Sequence, residues 1–155
     1  MGWTGRLEHI HITNAGRAAM RQLDEARLVA GKGIEGDRYL LGTGTYSIKP
    51  EPGRQVTLIE VETLEALARD AGIVLAPHEH RRNLTVTGVP LNHLVGRQFR
   101  IGEVLLEGAR LNVPCKYLEL VTGKTVYGPL LNRSGLNCII VEGGTIRPGD
   151  ALTPA

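Results

Sequence analysis

Arg81, Arg82 and Asn83, together with Cys115 and Lys116, are the residues of this chain whose types and spacing suit chemistry. A guanidinium offers a rigid fork of donors for oxygen anions, and an amide offers both a donor and an acceptor. A thiolate is at once a sulfur nucleophile and a soft metal ligand. Brought into one pocket, these groups would bind an oxyanion beside a reactive sulfur. Lys116 and a helical turn starting there would favour thiolate over thiol at Cys115, lowering a reference pKa of about 8.5. Cys138 sits in an apolar run, 136–141, where a lone Cys reads as a small buried hydrophobe.

The elements that must position these residues read as strands. Leu84 and Val86 alternate with Asn83, Thr85 and Thr87, and Phe99 and Ile101 alternate with Gln98 and Arg100. Gly102-Glu103 makes a hairpin turn, after which Val104 and Leu106 resume the alternation, so three strands separate the Arg-Asn pair from Cys115. Further strands are predicted over 5–13, 27–30, 55–59 and 136–141, with 143–150 as a hairpin closing the sheet. One main helix is predicted over 60–71. Its apolar stripe is Val61, Leu64, Leu67, Ala68 and Ala71, Glu65 can pair with Arg69, and Gly72 stops it. Many short strands with one main helix and short helical turns predict a mainly β fold, a closed or nearly closed β-barrel, since closure removes exposed edges.

Several other stretches are candidates for the same pocket. Gly31, Gly33 and Gly36 precede Asp37 and Arg38, and this segment reads either as an anion-binding loop or as a tight turn whose Asp bonds the local backbone. It lacks the Gly-Lys-Ser/Thr ending of a P-loop. Residues 41–54 form an irregular loop, and Arg133 precedes the last long strand, where it could add an oxyanion contact. His9 and His11 fall on one strand face with Leu7, opposite Ile10 and Ile12. They read as partly exposed strand residues, because no third metal ligand is near in sequence. His78 and His80 read as loop histidines that would add positive charge as pH falls.

A chain of 155 residues suits a single domain, 1–155, able to bury roughly 68 to 70% of its unfolded surface. Aromatics are only 4%, so the core must be built from Leu, Val, Ile and Ala. The net charge of +2 and the scarcity of stacking rings argue against nucleic-acid binding. Of the 18 basic residues 14 are Arg, which suits local bidentate anion contacts. No signal-like or membrane-length apolar run is present, and two cysteines are too few for a disulfide scaffold, so a cytoplasmic setting is expected.

The sequence resembles the MOSC family, the domain named from the C-terminal part of molybdenum-cofactor sulfurases. The likeness is carried by Arg81-Arg82-Asn83-Leu84, by the run from Leu91 to Gly102, and by Pro114-Cys115. Lys32 to Tyr39, Gln55 to Ile59 and Gly143 to Asp150 add to it, so it extends over almost the whole chain. The resemblance implies a mostly β domain of complex topology. It also implies a cysteine that carries sulfur as a persulfide or ligates molybdenum, and Arg, Asn and main-chain groups that hold the pterin cofactor or its phosphate. Those roles fall on Cys115, Arg81 and Asn83, with Lys32, Asp37, Arg38, Arg82, Lys116 and Arg133 in support. Sulfurases of the family carry a separate pyridoxal-phosphate domain for which this chain has no room, so pyridoxal phosphate is not expected to bind here. Three functions are implied: a sulfur carrier served by a cysteine desulfurase, a molybdenum-dependent reductase of N-hydroxylated compounds with a redox partner, or a non-catalytic cofactor-binding module. No second Cys follows Cys115 closely, which excludes a local C-x-x-C redox pair.

Overall fold

The computed structural model describes residues 2–45, 52–114 and 116–155. Met1, residues 46–51 in the predicted 41–54 loop, and Cys115 lie outside the described residues. The first half of the chain gives β1 (Gly5–Ile12), β2 (Arg21–Leu23), β3 (Ala26–Val29), β4 (Gly33–Ile34), α1 (Arg38–Leu41), β5 (Val56–Glu60) and α2 (Val61–Ala71). The second gives β6 (Leu84–Thr87), β7 (Gln98–Ile101), β8 (Val104–Leu111), α3 (Lys116–Thr122), α4 (Tyr127–Leu130), β9 (Leu136–Glu142), β10 (Gly144–Ile146) and β11 (Ala151–Pro154).

Seven strands close into a barrel in the order β11, β7, β8, β9, β5, β6, β1, and pairing of β1 with β11 completes the ring. All neighbours in the ring are antiparallel except β5 and β6. A parallel pair demands a crossover, and α2 supplies it. The barrel is filled by aliphatic side chains, among them Leu7, Ile10, Leu58, Leu84, Ile101 and Leu106, with Phe99 the one fully buried aromatic side chain among the described residues. Each such side chain contributes roughly 1.5–3 kcal/mol by leaving water. Gly102 adopts φ +55° in the two-residue turn between β7 and β8, the positive φ that a tight hairpin needs.

Three local expectations are corrected. In β1 a bulge between Leu7 and His9 shifts the register, so Leu7, Ile10 and Ile12 all enter the same core rather than opposite faces. His11 is buried, not partly exposed. In α2 the buried face is Thr63, Ala66 and Leu67, while Ala68 and Ala71 are exposed. Alanines carry too little apolar area to decide which face turns inward. Arg69 bonds both carboxylate oxygens of its neighbour Asp70, at 2.6 and 2.9 Å, instead of reaching Glu65. Finally, β10 and β11 do not pair as a hairpin. The first joins β3 and β4 in a separate three-stranded sheet, and the second bridges β7 and β1. Gly143 passes so close to the Leu28 carbonyl that a Cβ would lie 2.4 Å from it, and there the chain leaves the barrel wall.

Outside the barrel a second apolar cluster joins Ile59, Leu67 and Leu75 to Leu118, Val126 and Leu130, fixing α2, α3 and α4 to one another. No helix among the described residues is long and apolar enough to cross a membrane.

Candidate functional site

A cavity of about 250 Å³ opens where the start of α1, the segment leading into β6, the end of β8 and the start of α3 meet. Among the described residues five arginines line it, Arg38, Arg54, Arg81, Arg82 and Arg110, and no acidic residue does. Thr57, Asn112 and Asn137 add neutral polar groups, and Tyr39 and Tyr117 add rings. Pro114 and Tyr117, which flank Cys115 at one and two positions in sequence, belong to the same lining.

Each arginine is positioned differently. Arg82 is fully engaged: Nε donates to the Ser134 carbonyl at 3.1 Å, Nη1 to the His80 carbonyl at 2.6 Å, and Nη2 to Asn112 Oδ1 at 2.6 Å and to Ser134 Oγ. Arg38 donates through Nη1 to Asp37 Oδ1 at 3.3 Å and through Nη2 to the Tyr39 hydroxyl and the Arg81 carbonyl, the latter at 3.0 Å. Its guanidinium also lies over the Tyr39 ring, 4.4 Å from the centroid. Arg81 takes the left-handed conformation, φ +64°, which for a side-chain-bearing residue costs of order 1–3 kcal/mol and persists only where surroundings hold it. Its Nη1 donates to the Ala18 carbonyl at 2.8 Å and its guanidinium lies 5.9 Å from the Tyr117 ring centroid, yet Nη2 is buried without an acceptor among the described residues. Burial pulls the Arg81 pKa down, opposed by Tyr117 and reinforced by Arg38.

Asp37 and Asn83 stand behind this wall rather than in it. Asp37 caps α1 by accepting from the Tyr39 N–H, and it also receives Thr13 N, Asn83 Nδ2 and Arg38 Nη1. Burial raises its carboxyl pKa, against the pull of Arg38 and those donors. The glycine-rich segment is therefore a cap-forming turn that delivers Arg38 and Tyr39 to the cavity. Asn83 has no exposed surface: Oδ1 accepts from Thr57 N and Thr57 Oγ1, and Nδ2 donates to the His11 carbonyl and to Asp37. Every donor and acceptor of its amide faces protein, so the expected ligand contact becomes a structural one.

Lys116 and Arg133 point elsewhere. Lys116 is exposed, pairs with Glu119 at 3.2 Å and lies over the Tyr127 ring, while Arg133 donates to the Pro129 carbonyl and to Asp70. Lys32 lies in an exposed turn between β3 and β4. His80 is fully buried; its Nδ1 accepts the Arg82 N–H, so the ring proton sits on Nε2, 2.9 Å from Thr85 Oγ1. Burial, then Arg82, holds its pKa well below the usual value, so it adds no charge to the pocket as pH falls mildly. Among the described residues no group of three or more His, Cys, Asp or Glu could hold a metal ion.

Arg54, Arg110, Asn112 and Tyr117 line the cavity without having been singled out as ligand contacts from sequence. Arg110 and Asn112 carried a signal, since residues two apart near a strand end share a face, and both precede Pro114-Cys115. Arg54 carried only the weak signal of ending the irregular 41–54 loop, and packing of its segment against β8 and β9 brings it to the cavity.

The sequence model of the MOSC domain matches residues 45–153. No curated protein matches the chain. Among solved structures, YuaD from Bacillus subtilis superposes with a TM-score of 0.82 at 20% identity, covering 99% of this chain and 96% of its own. YiiM from Geobacillus stearothermophilus gives 0.75 at 12%, covering 97% and 75%, and YiiM from Escherichia coli gives 0.69 at 21%, covering 97% and 69%. At these identities the likeness is one of fold.

Proposed function

This chain belongs to the MOSC domain family, and from that premise we propose that its arginine-lined cavity holds the phosphate-bearing end of a molybdenum cofactor while Cys115 carries sulfur or ligates the metal. The observation that supports this is the convergence of five arginines, with no acidic residue among the described lining, on a cavity bordered by the chain neighbours of Cys115. The residues present fit such a group, because among the described residues Arg81 Nη2 is a buried donor without an acceptor and a phosphate oxygen would supply one. Arg81 and Asn112 would contact it, and Arg38 and Arg82 would hold the wall. When bound, the cofactor supplies molybdenum for oxygen- or sulfur-atom chemistry.

The part played by this chain's own sulfur is simple. The Cys115 thiolate attacks the outer sulfur of a donor persulfide, such as that on a cysteine desulfurase. The donor's S–S bond breaks, its cysteine leaves as thiolate, and no external oxidant is consumed. A thiol delivered to this cavity by its chain neighbours would be favoured in the ionised form this requires by the guanidinium groups there.

Two measurements test this. Protein purified from a cofactor-producing host should contain molybdenum and pterin, and Cys115→Ser should lower the metal content, a hydroxyl being a poor substitute for a soft thiolate. Incubation with a cysteine desulfurase and cysteine should add one reductant-labile sulfur, which Cys115→Ser should abolish. Neither metal nor sulfur on the wild-type protein would reject both roles of Cys115.

A further inference from the structure

Of the nine exposed large apolar side chains among the described residues, five belong to one stretch: Val113 before Cys115, Leu120 and Val121 on α3, Tyr127 on α4, and Leu131 after it. We infer that this outer face of α3 and α4 is the docking surface for the protein that hands sulfur to Cys115, and that the partner meets it with apolar side chains ringed by acidic ones. The inference rests on the sulfur-carrying reading of Cys115 and adds to it the surface and the chemistry of the donor.

The geometry makes these side chains one face. Leu118, Val126 and Leu130 turn inward into the second apolar cluster, which leaves Leu120, Val121 and Tyr127 on the outside of both helices. Leu120 stands one turn beyond Lys116 and Val121 one turn beyond Tyr117, while Leu131 follows Tyr127 by four positions. The two helices meet there: the Lys116 ammonium lies 5.4 Å from the Tyr127 ring centroid, and the Tyr127 N–H donates to Glu119 at 3.1 Å. Tyr117 also lines the cavity, so the face begins at its mouth, and Val113 and Lys116 bracket Cys115 in sequence.

The charge presented at this face is positive. The Lys116 side chain is 81% exposed against 19% for its partner Glu119, exposed Arg17 lies over the Tyr117 ring, and the adjoining cavity has five arginines in its lining. Complementarity therefore calls for an acidic rim on the partner. A second copy of this chain would bring two cationic rims together, and a free persulfide would leave the aliphatic side chains in water. A protein-borne persulfide engages both features. Once it is docked, the Cys115 thiolate bonds the outer sulfur, the donor's S–S bond breaks, and the electron pair leaves on the donor's cysteine as thiolate.

The test compares two sulfur donors on the full chain, a cysteine desulfurase supplied with cysteine and inorganic polysulfide, each read by the mass added to Cys115. Wild-type protein should accept sulfur from both. Leu120→Asp should slow loading from the desulfurase about tenfold or more and leave loading from polysulfide within about twofold of wild type. Leu131→Asp repeats the comparison at the far end of the face should Leu120→Asp fail to fold. Binding of the desulfurase, followed by interferometry, should weaken as salt rises and should fall about tenfold in Lys116→Glu. Wild-type transfer from the desulfurase in both apolar variants, or unchanged binding in Lys116→Glu, overturns the inference. Loading from polysulfide but not from the desulfurase also overturns it and leaves the sulfur-carrying role of Cys115 standing. Loading from neither donor rejects that role, and the docking surface with it. A dimer, or binding to vesicles of anionic phospholipid, that Leu120→Asp abolishes would assign the face to another occupant and likewise overturn the inference.

Discussion

Asn83 shows how one residue type serves two purposes that sequence does not separate. A ligand-facing amide and a buried amide look alike in a string, and the outcome depends on what covers the second face of β6. Here Asn83 and Leu84 are both fully buried, because the barrel interior lies on one side of this segment and the Asp37 cap and Thr57 lie on the other. Truncation would strand the Thr57 N–H and remove a donor from Asp37, two buried groups at about 1–3 kcal/mol each. Asn83→Ala should therefore destabilise the protein by about 2–4 kcal/mol in urea denaturation, and Asn83→Asp should cost more at pH 8 than at pH 5, since it sets a second carboxyl against Asp37. A loss under about 1 kcal/mol, with weakened cofactor binding, would return Asn83 to the ligand shell. Arg81 and Arg82 were legible as pocket residues because few structural roles compete for adjacent guanidiniums, but which of the two keeps an open donor is a matter of geometry.

At the scale of elements, the longer strands and α2 were readable from periodicity, whereas the short β2, β4 and β11, the β1 bulge and the rotation of α2 were not. A bulge inserts one residue without any composition signal, and here it accompanies burial of His11 while His9, expected on the same face, stays partly exposed. The consequence is electrostatic. Burial, with His9 and His78 nearby, pushes His11 down to about 4, below its usual value of 6.5. A base depressed on folding contributes stability that is fully present above pH 6.5 and is lost as pH falls toward 4. Glu60, at the junction of β5 and α2, is shifted the other way, up to about 7 by burial and then by Glu62. Its effect is a penalty absent below about pH 4.5 and complete above pH 7, because the folded state then holds a poorly solvated charge. The two oppose each other between pH 4.5 and 6.5, which flattens the pH profile in that window. Glu60→Gln should thus stabilise the protein by about 1–2 kcal/mol at pH 8, discounted for the solvent that still reaches the group, and should be neutral at pH 4. Denaturant midpoints across the pH range check this, and an equal gain at both ends would show that the carboxylate charge is not the cause.

At the scale of the molecule, barrel closure was expected from many short strands, but the ring order was not, since it depends on pairings between distant segments such as Gly5 with Leu152. The same closure separates the two cysteines in kind. Cys138 lies mid-strand in β9, paired with Val56 of β5 on one side and Gly108 of β8 on the other, and its thiol has no solvent exposure. Burial alone pushes that thiol up, away from ionisation. No local fraying frees it, because both neighbouring strands belong to the closed ring; the route to solvent is global opening. For a domain of this size, stable by about 5–15 kcal/mol, that opening is rarer than about one molecule in a thousand. Alkylation in native buffer should therefore modify Cys115 first and only, and Cys138 should react at a rate that rises with urea in proportion to the unfolding equilibrium constant. Peptide mass spectrometry over a urea series reads both sites at once. Labelling of Cys138 before Cys115, or at a rate insensitive to urea, would mean that the barrel opens locally at β9 and that the ring is not the cooperative unit of this fold.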